Sequence, residues 1–256
     1  MITDHIRIAG TRIAAVRCAS QPFCLSPARA PTMQHDLAHS IMNRRSALLA
    51  IVALAATLPA APLLGQPKAP VILIVGDSIS AGYGLPAGAG WATLLQQRLA
   101  SEHYPHRVVN ASISGDTTAG GKERLKGLLE ANRPAITVIE LGGNDGLRGG
   151  NLDAMAHNLD AMTIAAQKAG SRVLIVGMRL PPNYGPGYVQ RFDATFSDVA
   201  TKNKAALVPF FFEGFGDDNS MFQPDRIHPV AAAQTKLLDN VWPALKPLLG
   251  SPVKQR

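Results

Sequence analysis

Ser78, Asp225 and His228 are far apart in the sequence but could together carry out nucleophilic chemistry. Ser78 follows directly on the apolar run Val71-Ile-Leu-Ile-Val75 and the pair Gly76-Asp77, while Asp225 and His228 stand three residues apart near the carboxyl end. A serine hydroxyl is a poor nucleophile until a neighbouring base takes its proton, and a neutral imidazole, with a reference pKa of about 6.5, is the usual base. His228 fits that part, with Asp225 placed to hold its second ring nitrogen and to stabilise the imidazolium. An acyl-transfer intermediate also needs donors around its oxyanion. The backbone N–H groups of Ser78 and Gly115 and the side-chain amide of Asn144 could supply three.

Each residue has an ordinary structural reading as well. Ser78 or Asp225 would serve as a helix cap, and His228 before a proline would be a loop residue at a helix start. Gly115 and Asn144 suit turns with unusual backbone angles. Asp77, Asp116 and Asp145 would satisfy neighbouring backbone amides. His103, His106 and His157 lie on or beside expected helix surfaces without paired spacing, so neither a metal site nor a cofactor is expected. Co-occurrence is what favours chemistry. Every part of an acyl-transfer site appears in one of four loops: Gly76-Asp77-Ser78, Ser114-Gly115-Asp116, Gly142-Gly143-Asn144-Asp145 and Asp225-Arg226-Ile227-His228-Pro229.

Those loops must be positioned by the elements between them. The run from Val71 is continuous rather than alternating, as in a parallel strand covered on both faces. Trp91, Leu94, Leu95 and Leu99 recur at helical spacing, and Arg107 to Asn110 reads as a second strand. A helix from Thr118 to Ala131 precedes a third strand, Ala135 to Leu141, which the turn cluster 142–146 closes. A helix from Leu152 to Ala169, a strand from Arg172 to Gly177 and a Pro/Gly-rich loop from Leu180 to Gly187 follow. Tyr188, Phe192, Phe196 and Val199 mark another helix, Ala206 to Phe210 a short strand, and 211–229 a long loop. Val230, Ala233, Leu237, Leu238 and Val241 mark the last helix. Strict alternation of strand and helix implies an α/β fold, a three-layer α/β/α sandwich around five parallel strands. All four loops then fall on the carboxyl rim of the sheet, where open α/β folds bind ligands.

The first 66 residues read differently. Residues 1–41 hold both cysteines, Cys18 and Cys24, and no sustained apolar period, so they are expected to be an extension upstream of a true start at Met42. Arg44-Arg45, the apolar stretch Ala47 to Leu58 and the Pro/Ala-rich residues after it have the order of a cleaved signal peptide over 42–66, with residues 67–256 as the working domain. The stretch is too short for a membrane span. The expected destination is the periplasm or the exterior, and the arginine pair leaves both general and twin-arginine export open. Of the formal net charge of +7, the six arginines and two aspartates of residues 1–66 contribute +4, which leaves +3. That is too mild and too scattered for a nucleic-acid footprint. With no cysteine after Cys24, neither a disulfide framework nor a thiolate metal site is available to the domain.

Gly76-Asp-Ser78, Gly115 within Asn110 to Thr117, Asn144 within Glu140 to Arg148, and Asp225-x-x-His228 resemble, in order and spacing, the four blocks of the SGNH or GDSL hydrolases. The likeness extends over 70–249, with Ile79 where the name of the first block has leucine and Arg226 at a variable position. The runs Asn110 to Thr117, Glu140 to Gly149 and Arg179 to Gly185 are similar to the bacterial periplasmic subgroup that combines acyl-CoA thioesterase, lysophospholipase and arylesterase activities. The resemblance implies a flavodoxin-like fold, a monomer, no cofactor, and small acyl esters, thioesters or lysophospholipids as substrates. It implies catalytic roles for Ser78, Asp225 and His228 and oxyanion roles for Ser78, Gly115 and Asn144. It also implies an apolar acyl groove, for which Leu147, Leu180, Pro181, Tyr184 and Phe212 are candidates, with the glycines around Leu147 read as a loop able to move.

Other functions fit less well. Gly115-Asp-Thr-Thr-Ala-Gly120-Gly-Lys122 suggests a phosphate loop, but it has an extra glycine before the lysine and Glu123 where Ser or Thr belongs. A non-catalytic binding module on the same fold would be expected to have lost Ser78, Asp225 or His228. A short-chain or carbohydrate O-deacetylase would use the same triad.

Overall fold

The computed structural model describes residues 68–253. The proposed extension (1–41) and signal peptide (42–66) lie outside the described residues. The first strand, β1 (Val71–Gly76), is buried along its whole length, which accounts for its unbroken apolar sequence. It leads into a one-turn helix, α1 (Ser78–Ala81), and then into α2 (Trp91–Ser101). Next come β2 (Arg107–Asn110), α3 (Thr118–Asn132) and β3 (Ile136–Glu140). The chain continues through α4 (Gly143–Leu147), α5 (Leu152–Lys168), β4 (Arg172–Val176) and α6 (Pro186–Asn203). It closes with β5 (Ala206–Val208) and α7 (Gln234–Leu249).

All strand pairs are parallel, in the order β2-β1-β3-β4-β5. This is the flavodoxin-like order that the family resemblance implies. Helices α2 and α7 pack together on one face, and α3, α5 and α6 pack in series on the other. The core between the layers is built from the β1, β3 and β4 side chains with Trp91, Leu95, Leu99, Phe192, Phe196 and Leu237, all essentially buried. Among the described residues, no helix is long and apolar enough to cross a membrane.

Two segments depart from the expectations. Residues 142–146, expected as a turn cluster, instead begin α4, entered through Gly142 at φ 118°. A Cβ on Gly142 would lie 2.8 Å from Met155 Cε and 3.0 Å from Phe196 Cζ. Only glycine lets the chain turn so close to α5 and α6. The expected loop over 180–187 is shorter than it looked. It contains a 3-10 turn (Pro182–Tyr184), and α6 starts at Pro186, since proline is well suited to a first helical turn.

Candidate active site

Ser78 is the first residue of α1, delivered there by β1 and held by a tightly bonded turn. Asp77 caps α1, its Oδ1 accepting from the Ile79 N–H at 3.0 Å. The carbonyl of Gly76 accepts from Ile113 N–H at 3.0 Å and from Arg124 Nη2 at 3.3 Å. The Ser80 carbonyl accepts from Asn110 Nδ2 at 2.7 Å. Gly76 is needed here for space: a Cβ would come within 2.8 Å of Glu140 Oε2, Ser112 Oγ and Ser80 Cβ alike.

His228 reaches this serine from the long loop before α7. Its Nε2 lies 2.8 Å from Ser78 Oγ and its Nδ1 lies 2.7 Å from Asp225 Oδ2. The other oxygen of Asp225 accepts from the N–H groups of Ile227 and His228 at 2.9 and 3.0 Å, closing a tight turn in which Arg226 takes φ 58°. Burial pushes the Asp225 carboxyl up, but these N–H bonds and the imidazole outweigh it, and its pKa falls to about 2. Asp225 is therefore ionised at neutral pH. The loop itself rests on an aromatic cluster: Phe212 packs on Phe211, Phe215 and Phe222, and Phe222 pairs in a β-bridge with Pro229. Gln223 donates from its backbone to the His228 carbonyl at 2.7 Å and from its side chain to the Tyr83 carbonyl at 2.8 Å, tying the histidine loop to the serine loop. The Tyr83 ring lies 4.5 Å from the imidazole, centroid to centroid.

Asn144, at the start of α4, faces the same turn. Its Nδ2 donates to Asp77 Oδ2 at 3.1 Å and to the Asp116 carbonyl at 3.0 Å. Gly115, at φ 79°, precedes that carbonyl, and its own carbonyl accepts from Arg148 Nη2 at 3.0 Å. Four loops are thus drawn into one bonded cluster in which Ser78, His228 and Asp225 are in direct line and Asn144 and Gly115 stand beside them. Of the three aspartates, Asp145 anchors α3 by accepting from Thr118 N–H and Oγ1, and Asp116 pairs with Arg124 at 2.8 Å, both structural ties.

The acyl-groove candidates divide. Leu147 and Tyr184 are joined, the tyrosine hydroxyl donating to the Leu147 carbonyl at 2.8 Å. Pro181 is exposed beside them, whereas Leu180 is buried in the core and Phe212 sits in the cluster under the histidine loop. The glycines near Leu147 do not form an open hinge. A Cβ on Gly146 would meet Phe192 at 2.4 Å, and one on Gly150 would meet the Asp145 carbonyl at 2.8 Å. Gly149, at φ 63°, is the one with open space around it.

Glu140, Tyr83, Gln223 and Gln234 were not singled out in the sequence. Gln234, 1 % exposed, accepts from the Trp91 N–H at 3.0 Å and so links α2 to the start of α7. A lone acid at the end of an apolar strand was the only sequence signal for Glu140.

A hydroxyl, an imidazole and a carboxylate in one hydrogen-bonded line at the carboxyl edge of a flavodoxin-like sheet form the working arrangement of a serine acyl hydrolase. Comparison with known proteins agrees. Residues 74–236 match the GDSL-like Lipase/Acylhydrolase family. Esterase TesA of Pseudomonas aeruginosa is 56% identical over 187 residues, covering 73% of this chain and 93% of its own. Thioesterase 1/protease 1/lysophospholipase L1 of Escherichia coli strain K12 is 39% identical over 181 residues, covering 71% and 86%. A crystal structure of TesA superposes with a TM-score of 0.69 at 56% identity, covering 70% of this chain and 99% of that one. The chain belongs to the GDSL-like lipase/acylhydrolase family.

Proposed function

We propose that this chain cleaves acyl esters and thioesters, lysophospholipids among them, through an acyl-Ser78 intermediate. The observation that carries the reading is the line from Asp225 Oδ2 through both ring nitrogens of His228 to Ser78 Oγ, with contacts of 2.7 and 2.8 Å. As Ser78 Oγ attacks the carbonyl carbon, His228 Nε2 accepts its proton, and the ionised Asp225 stabilises the imidazolium. The tetrahedral oxyanion is held by the N–H groups of Ser78 and Gly115 and by the Asn144 amide. His228 then returns the proton to the departing alkoxide or thiolate, and a water activated by the same imidazole frees the acid from Ser78. The lysophospholipase in the name of one relative favours acyl chains longer than acetyl. The order of basic, apolar and small residues over 42–66 supports export with cleavage between about Ala60 and Gln66.

Hydrolysis of p-nitrophenyl esters from acetyl to palmitoyl, by the processed protein and by Ser78→Ala, tests the reading. The expected result is loss of activity in the variant and a wild-type preference for medium or long chains. Cleavage of acetyl alone would replace the reading with a deacetylase, and activity surviving in Ser78→Ala would remove this serine from the mechanism. N-terminal sequencing of the exported protein tests the leader, and an intact Met1 would refute it.

A further inference from the structure

Behind the serine turn lies a second carboxyl that the mechanism above does not use. The parallel register of β1 and β3 sets Gly76 against Glu140, so the last side chain of β3 points into the turn that carries Ser78. Glu140 Oε2 accepts from the Ser80 hydroxyl at 2.7 Å and lies 3.4 Å from the Asp77 N–H. The Ser80 oxygen in turn accepts from Trp91 Nε1 at 3.1 Å, fixing the hydroxyl between α2 and β3. Asp77, Ser80 and Glu140 are 3 %, 1 % and 1 % exposed, and Oε1 of Glu140 is buried without a protein partner. A buried acid costs stability unless it is bonded or neutral, so its position at this one spot calls for a reason beyond packing.

The bonds indicate one. Residues 77 and 80 bracket the nucleophile, and both are bonded to a single oxygen of Glu140. On the other side of the turn, Asp77 Oδ2 receives the Asn144 amide, so the same short segment also sets the position of an oxyanion donor. We infer that Glu140 is a positioning residue for the nucleophile: its buried carboxyl locks the Gly76–Ser80 turn so that Ser78 Oγ faces His228 while Asp77 holds Asn144. It touches neither substrate nor reacting atoms and acts through Asp77 and Ser80. Burial, reinforced by the charge of Asp77, raises its pKa well above the ordinary carboxylate range, in keeping with a neutral group serving as a hydrogen-bond acceptor.

This inference rests on Ser78 being the nucleophile, and its test separates the two. Glu140→Gln keeps the shape and an acceptor oxygen, whereas Glu140→Met keeps the bulk and removes the acceptor. Two rates are read for each: steady-state hydrolysis of p-nitrophenyl acetate, and covalent modification of the serine by an organophosphonate, which reports nucleophile reactivity without a bound acyl chain. Glu140→Met is expected to lower kcat and the modification rate together, on the order of 10²-fold, with KM within about threefold, since small displacements of reacting groups cost that much. Glu140→Gln is expected to restore both to within about threefold of wild type. A folded Glu140→Met reacting at the wild-type rate overturns the inference, as does a Glu140→Gln no faster than the methionine variant. Should Glu140→Met fail to fold, Ser80→Ala, which removes only the hydroxyl held by Glu140, is expected to slow modification about tenfold. A wild-type rate in Ser80→Ala then counts against the inference in the same way. Hydrolysis persisting in Ser78→Ala would instead defeat the functional reading itself, whatever the Glu140 variants do.

Discussion

Asn144, proposed above as an oxyanion donor, is also a structural tie of the serine turn. Its nitrogen already donates to Asp77 and to the Asp116 carbonyl, so both amide hydrogens are engaged before any oxyanion forms. Stabilising an oxyanion therefore means sharing one of them, and the carboxylate of Asp77 is the competitor. An isolated loss of this donor should raise the barrier by about 3 to 4 kcal/mol. Asn144→Ala is expected to lower kcat by about 10²- to 10³-fold with KM little changed, measured on p-nitrophenyl butyrate. A drop in KM affinity at constant kcat would place Asn144 in ground-state binding instead. Ser78, Gly115 and Asn144 were legible in the sequence because each is an unusual residue in the loop that follows a strand, and Asp225 and His228 because they stand three residues apart in the long loop before the last helix. Glu140 was not, because only the strand register sets it against Gly76, and register is invisible in a single continuous apolar run.

At the scale of elements, the strands and long helices followed from apolar periodicity, while α4 did not. Gly142, Gly143 and Gly146 read as turn residues, yet the helix forms because its neighbours demand close approach: Phe192 and Leu180 fill the space a side chain on Gly146 would need. The segment after α4 is tied by two tyrosines. Tyr184 donates to the Leu147 carbonyl and Tyr188 to the Gly150 carbonyl, each at 2.8 Å, and their rings stack 6.3 Å apart. The wall nearest the proposed acyl groove is thus fastened to α6. Tyr188→Phe keeps the stacking and deletes the hydroxyl shared between the Gly150 carbonyl at 2.8 Å and the Gly146 carbonyl at 3.5 Å, so global stability should fall by only about 1 kcal/mol. Amide exchange at residues 147–150 is expected to quicken more than elsewhere, and hydrolysis of long-chain esters to change more than that of acetate. Uniform exchange and an unchanged chain-length profile would show that the tie does not govern the wall.

For the whole molecule, the buried acids set stability and activity against each other along the pH axis. Asp77 is raised to about 6, chiefly by burial and in small part by Asp116, with the Ile79 N–H, His228 and Asn144 pulling the other way. A carboxyl raised in the folded state favours folding while it is protonated: that contribution is complete below the unfolded value of about 3.9 and is lost as pH climbs through 6. Glu140 acts in the same sense, since burial and the charge of Asp77 raise it; the other titratable groups about the turn are Asp116, paired with Arg124, and His228, bonded to Asp225. Asp225 acts in the opposite sense, lowered to about 2, and its contribution is present above pH 4 and lost as pH falls through 2. Around this turn, then, Asp225 favours the fold as pH rises from about 2, and Asp77 and Glu140 favour it at lower pH. Asp77 and Glu140 should therefore pull the melting temperature down from about pH 5 to pH 8, opposed by His106, which burial lowers and which favours the fold as pH rises, while hydrolysis rises. Glu140→Gln removes one of the two buried ionisations, so its melting temperature should gain on the wild type as pH rises and approach it near pH 4. Parallel melting curves across that range would mean that Glu140 does not change its proton binding on folding, and that the serine turn rests on a carboxylate charged throughout.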